Sequence, residues 1–204
     1  MFLLGGEREI LGILKEYIAF LKKDKRVILL GSALMLRNFS MNLLMVIVPL
    51  WLVYVKGLTA VILGLVTTVS SAVLCFSQYP AGKLADRFGN RRTFLPFTAL
   101  YCLAILILIW APSVEYIFLA SILGFGLGGV GGTAFTIFIT MWFESTSPES
   151  RGRQYGFDQI LWTISVISSS LIAGYMWDMG FGAFALSLPV FIEAVVIVLL
   201  FISR

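Results

Sequence analysis

The chain has 204 residues, of which 59% are hydrophobic and 13% charged, with a mean hydropathy of +0.97. Soluble domains average about 25% charged residues, so this chain cannot cover its surface with polar groups, and lipid is the solvent its composition suits. It has no histidine, which excludes His-dependent triads and His-ligated metal sites, and its formal charge of +4 reads as membrane topology rather than as nucleic-acid binding.

Residues 1–26 read as a cytoplasmic N-terminal segment. Ile10, Leu11, Leu14, Tyr17, Ile18 and Leu21 fall at helical spacing among charged residues, the pattern of an amphipathic helix. It suits either the inner membrane face or the ends of a helix bundle. No cleavage site of a secretory signal follows it. Residues 27–204 read as one transmembrane domain. A membrane-crossing helix needs about 20 mainly apolar residues, and six segments qualify: 27–55, 59–79, 93–111, 114–143, 155–177 and 181–203. Short turns rich in Gly, Pro or charge separate them, such as "KGLT", "APSVE" and "DMGFG". Cys75 and Cys102 lie apart inside apolar runs and give no disulfide framework. The expected fold class is all-α: a polytopic bundle of six transmembrane helices.

Basic residues set the expected orientation. Arg8, Lys15, Lys22, Lys23, Lys25 and Arg26 precede the first span, and Lys83, Arg87, Arg91 and Arg92 follow the second. Arg151 and Arg153 follow the fourth, and Arg204 follows the sixth. The alternate loops hold only Lys56. Both termini are therefore expected in the cytoplasm.

The stretch "GKLADRFGNRR", residues 82–92, is a compact charged turn between two strongly apolar runs. Gly82 would allow close backbone approach. Asp86 sits where a helix is expected to end, its carboxylate able to face a neighbouring helix N-terminus. Gly89 would allow positive φ, and Arg91 and Arg92 would lie at anionic headgroups. A plain positive-inside loop accounts for the arginines but not for the order Gly-x-x-x-Asp-Arg-x-Gly-x-Arg-Arg.

That order resembles the signature loop of the major facilitator superfamily, between its second and third helices. Gly82, Leu84, Asp86, Arg87, Gly89, Arg91 and Arg92 match, while Asn90 stands where a basic residue is commoner. A second stretch, "FESTSPESRGRQYG", places Glu144 six residues before Arg151, with Gly152 next. It resembles the Glu-x6-Arg-Gly element between helices four and five of the family's sugar porters, with Pro148 one place late. It supports the superfamily rather than a sugar substrate. The resemblance implies that Asp86, Arg87, Glu144 and Arg151 form a latch on the cytoplasmic gate.

Ionisable groups at membrane depth are costly and usually functional. Arg37 lies about 16 Å along the helix from Arg26, near the bilayer midplane. Asn38, Met41, Asn42 and Met45 continue a polar and polarizable stripe. The resemblance makes the first helix cavity-lining, so Arg37, Asn38 and Asn42 are candidates for the solute pathway; the alternative for Arg37 is an ion pair within the bundle. Glu193 lies at similar depth in the sixth span, as a proton carrier or as the partner of Arg37. Asp158 and Gln159, about 7 Å in from Arg153, are gate residues or a snorkelling helix start. Gly124, Gly128 and Gly132 recur every fourth residue, as do Ser170 and Gly174, a pattern for close helix packing. Thr133, Thr136 and Thr140 are further candidates to line a cavity.

The resemblance covers one six-helix half of a transporter built from two. It implies a secondary active transporter working by alternating access, in the cell (inner or plasma) membrane, with the lipid bilayer, a small solute and a second six-helix half as partners. That half would be an identical copy or a separate chain, and a coupling proton is an open option. The alternative is a truncated, non-transporting six-helix scaffold. No catalytic residue, cofactor, metal or nucleic acid is expected, and the chain is not read as an enzyme.

Overall fold

The computed structural model describes residues 25–125, 128–145 and 151–203; the expected amphipathic segment lies outside the described residues. Seven helices follow in order: α1 Lys25–Leu50, continued by a π-helical turn at Trp51–Val55, α2 Ala60–Phe88, α3 Asn90–Trp110, α4 Val114–Leu123, α5 Gly129–Glu144, α6 Arg151–Asp178 and α7 Gly182–Ile202. The protein is an all-α membrane bundle, and among the described residues there is no strand.

Two expectations need correction. Among the described residues five helices are long and apolar enough to cross a membrane, and the sixth expected segment is represented by the shorter apolar α4 together with α5. The expected fourth span, 114–143, is interrupted and forms α4 and α5. Its glycines are the cause: Gly124 (φ 113°) closes α4 and Gly129 (φ 63°) opens α5, both with positive φ that the interior of a continuous helix cannot contain. The second correction concerns residues 82–92, which are mostly helix rather than a turn throughout. α2 continues through Phe88, and Gly89 alone, at φ 85°, joins it to α3. The Gly89 N–H donates to the Ala85 carbonyl at 2.8 Å, and the Thr93 hydroxyl donates to the Gly89 carbonyl at 3.0 Å. Nothing in "KLADRF" breaks a helix. A helix of 29 residues is about 43 Å long against a hydrocarbon core of about 30 Å, so its charged end runs on beyond the lipid.

Both ends of the bundle are tied by a cation on carbonyls. At the end carrying most basic residues, Arg91 donates to the Leu200 carbonyl at 3.1 Å, the Ser203 carbonyl at 3.0 Å and the Ser203 hydroxyl at 3.1 Å. It thereby caps the C-terminus of α7, where the helix macrodipole is negative. At the far end Lys56 does the same for α3, donating to the carbonyls of Ala111 at 2.8 Å and Ile109 at 3.3 Å.

The interior has three tiers. An apolar cluster at the basic end includes Leu30, Leu34, Phe94, Phe138, Trp142, Phe157 and Val196. A second at the far end includes Leu44, Ile47, Leu52, Ile105, Leu108, Ala173 and Leu186. Between them, along every core helix that crosses the gap, the buried residues turn polar: Arg37, Asn38 and Ser40 on α1, Thr98 on α3, Ser165 and Ser169 on α6, and Glu193 on α7. α1 is the central helix, packed on α6 and α7, while α5 lies against α3 and α2. Only 11% of the most apolar stretch of α2 is buried, and 17% of that of α6, against 50% for α1. Those two helices carry the faces the fold leaves open.

Candidate functional site

A cleft of about 640 Å³ opens at the basic end. Asp86 and Glu144 line it with Arg26, Asn90, Arg91 and Arg92, because α2 and α5 end here and α1 and α3 begin here. The Asn90 amide donates to the Glu144 carboxylate at 2.8 Å. Among the described residues no ion pair joins Asp86, Arg87, Glu144 and Arg151 to one another. Arg87 is exposed on α2, with its guanidinium 5.2 Å from the Phe88 ring centre. Arg151 and Gly152 open α6 and are exposed, and a Cβ at Gly152 would meet nothing within 4 Å. Arg92 is exposed on the cleft wall. Gly82 is exposed, and among the described residues nothing stands within 4 Å of a Cβ built there, so no close approach is made at it within this chain. A glycine that does admit a neighbouring helix is Gly131, where a Cβ would stand 2.7 Å from the Tyr101 nitrogen, so α5 meets α3 backbone to backbone. Arg91, expected at lipid headgroups, instead caps α7.

At mid-bundle Arg37 Nη1 and Glu193 Oε2 form a salt bridge of 2.6 Å, both side chains fully buried. The Arg37 guanidinium also lies 5.1 Å from the Phe94 ring centre and 5.9 Å from that of Tyr101. Arg37 therefore faces α3 and α7 and makes the ion pair inside the bundle that was one of the two expectations for it. Helical spacing shows which residues share a face; it does not show toward which neighbour the face is turned. Asn38 is buried, and so is Asn42, whose amide donates to the Asn38 carbonyl at 2.8 Å. Of the stripe on α1 only Met45 reaches an open surface. Asp158 is buried with Oδ1 unpartnered, whereas Gln159 is exposed. Thr136 and Thr140 border a small recess beside Asp86 and Asn90.

A second cavity of about 380 Å³ lies where α1 and α2 meet the interruption between α4 and α5. Leu44, Met45 and Val48 form one wall, and Thr67, Ser70 and Ser71 the other, with Phe125 and Gly128 at the break. Sequence reasoning missed Ser70, which is one ordinary serine in an apolar run. The run "GFGLGGVGG" was the available signal, read as a packing face. Gly124, Gly128 and Gly132 share no continuous helix.

Residues 30–204 match the family model of the Major Facilitator Superfamily. The chain belongs to that superfamily. A Caenorhabditis elegans protein named "Putative transporter svop-1" is 31% identical over 176 residues, which cover 84% of this chain and 32% of that protein. The chain thus spans about a third of the length of this curated relative. Membership in the superfamily agrees with the multi-pass bundle and with the signature order at residues 82–92. The Asn90–Glu144 hydrogen bond shows what the departure at position 90 does: a neutral amide meets the carboxylate where the superfamily more often has a cation.

Proposed function

We propose that the protein is a unit of a secondary active transporter that moves a small solute by alternating access, with its basic end and both termini in the cytoplasm. The observation that carries this reading is the convergence of Asp86 with Asn90 and Glu144 on one cleft at the basic end, from the stretches that match the superfamily's signature. The open faces of α2 and α6 are where a second six-helix half docks, either an identical copy or a separate chain. The latch acts across that junction. Asp86 is exposed and free to meet a helix end in the other half, and the exposed Arg87 and Arg151 belong to the same latch. If a proton is coupled to transport, Asp158, which makes no ion pair among the described residues, suits it better than Glu193, whose charge is committed to Arg37.

Flux in proteoliposomes tests the function on the assembled transporter. Asp86→Asn is expected to slow turnover more than it weakens solute binding, because the lost contact belongs to one conformation only. Spin-label distances across the basic end should shift toward the state open to the cytoplasm. Unmoved distances together with unchanged turnover would reduce residues 82–92 to a topology signal.

A further inference from the structure

The cavity at the α4–α5 interruption has a feature that packing does not explain. Ser70 is 5% exposed, and its hydroxyl has no hydrogen-bond partner. It lines the cavity and presses on the break itself, since a Cβ at Gly128 would stand 1.9 Å from Ser70 Oγ. A buried hydroxyl without a partner costs about 1–3 kcal/mol, and in lipid no bulk water relieves it. Next to it, α5 begins at Gly129 with Gly128 as N-cap, which supplies no side-chain acceptor. The first turn of a helix carries N–H groups without partners inside the helix. One corner of the cavity is thus polar, while Leu44, Met45, Val48 and Phe125 make the rest apolar. Among the described residues no charged side chain lines it. Met45, Thr67 and Ser71 are exposed, so the cavity is reached from the open face of the bundle.

From this we infer that the cavity binds an uncharged small molecule with an apolar body and one hydroxyl- or carbonyl-type head, the head meeting Ser70 at the start of α5. An ammonium would face the positive end of a helix. A carboxylate would find only the partial charge of that helix end and no cation. A volume near 380 Å³ is at the small end of the range for ligand pockets. The inference deepens the transport reading by naming a solute class, and it rests on that reading only for its physiological meaning.

Equilibrium binding of tritiated menthol to the purified full chain tests it, with menthane, menthane carboxylate and menthylamine as competitors. Menthol is expected to bind about three- to ten-fold more tightly than menthane, the size of one net hydrogen bond. It should also outcompete both charged analogues. Ser70→Ala should erase the preference over menthane, as should Ser70→Cys, which is somewhat larger and a much weaker hydrogen-bond donor. Ser71→Phe should fill the mouth and abolish saturable binding. The inference is overturned by a menthol preference that survives both Ser70 variants, by a charged analogue that binds better, or by an absence of saturable binding sensitive to Ser71→Phe. Proteoliposome flux separates the two claims. Flux with no selectivity for neutral heads rejects this site and leaves the transporter; menthol binding as expected with no flux from a reconstituted assembly rejects the transporter and leaves the site.

Discussion

Replacing Arg37 and Glu193 singly and together gives the sharpest test of how the bundle is held. The two side chains are fully buried and joined by one contact of 2.6 Å. Removing one partner of such a pair leaves an uncompensated buried charge and costs about 3–5 kcal/mol, a large part of the roughly 5–15 kcal/mol that stabilises a folded domain. Arg37→Met should fall in that range. Glu193→Met should cost somewhat less, because the stranded guanidinium keeps the faces of Phe94 and Tyr101, each worth about 0.5–2 kcal/mol. The double replacement should cost far less than the two singles combined. The contact is end-on, so Arg37 Nε, Arg37 Nη2 and Glu193 Oε1 are buried without partners, and removing both residues also removes these three unsatisfied atoms. Denaturation in mixed micelles, followed by tryptophan fluorescence, reads all three variants, and the fully buried Trp142 is a suitable reporter. The double variant should fall short of the summed singles by at least about 2 kcal/mol. Additive singles, or an Arg37→Met cost below about 1 kcal/mol, would refute a mid-bundle lock.

Three other outcomes are expected. In a background with Cys75 and Cys102 replaced, single cysteines at Lys56 or Ser113 should label only from outside the cell; labelling from the cytoplasm alone would invert the proposed orientation. Arg91→Ala should destabilise the protein by about 1.5–3 kcal/mol, the range for hydrogen bonds to a charged group, with Arg91→Lys intermediate in the same unfolding measurement. Gly131→Ala should cost about 1–3 kcal/mol or more, because its Cβ meets backbone of Tyr101 at 2.7 and 2.8 Å; Gly64→Ala, with nothing within 4 Å, is the control and should be far milder.

Much of the architecture was legible because lipid leaves few options. Long apolar runs must be helices whose backbone groups pair within the segment, and the three turns at the far end fall where charge, Gly and Pro interrupt the runs. The boundary at residue 88 was misplaced because charge was taken as the end of a helix. Charge marks only the end of the lipid, and α2 carries its signature residues as helix. The break in the fourth span hid in a repeat of glycines, which serves close packing in one backbone conformation and ends a helix in another. Arg37 and Glu193 were recognisable as a possible pair from depth alone, yet the choice between a pair and a solute contact needed the rotation of α1. Lys56 stood out as the one basic residue on the wrong side, and its reason, two carbonyls at the end of α3, lies more than fifty residues away in the chain. Ser70 gave no signal, since its meaning comes from Gly128 on another helix.

The placement of charge also bears on how such a unit could move. Arg37 and Glu193 sit in the polar tier between two apolar clusters and bind α1 to α7, while α3 closes over them with Phe94 and Tyr101. Parting those helices would expose an ion pair to lipid, so the middle of the bundle resists internal rearrangement more strongly than its surface does. Motion is then easiest where the fold has left faces open, on α2 and α6, and where ties are weak. The tie between Asn90 and Glu144 is one neutral donor on an exposed carboxylate, worth at most about 1 kcal/mol by comparison with exposed ion pairs. It can break on each cycle without endangering the fold, whereas the mid-bundle pair cannot. If the unit works by the alternating access proposed above, rocking as a body about its open faces would use the adjustable contacts on the rim of the basic end and spare the fixed ones at mid-membrane.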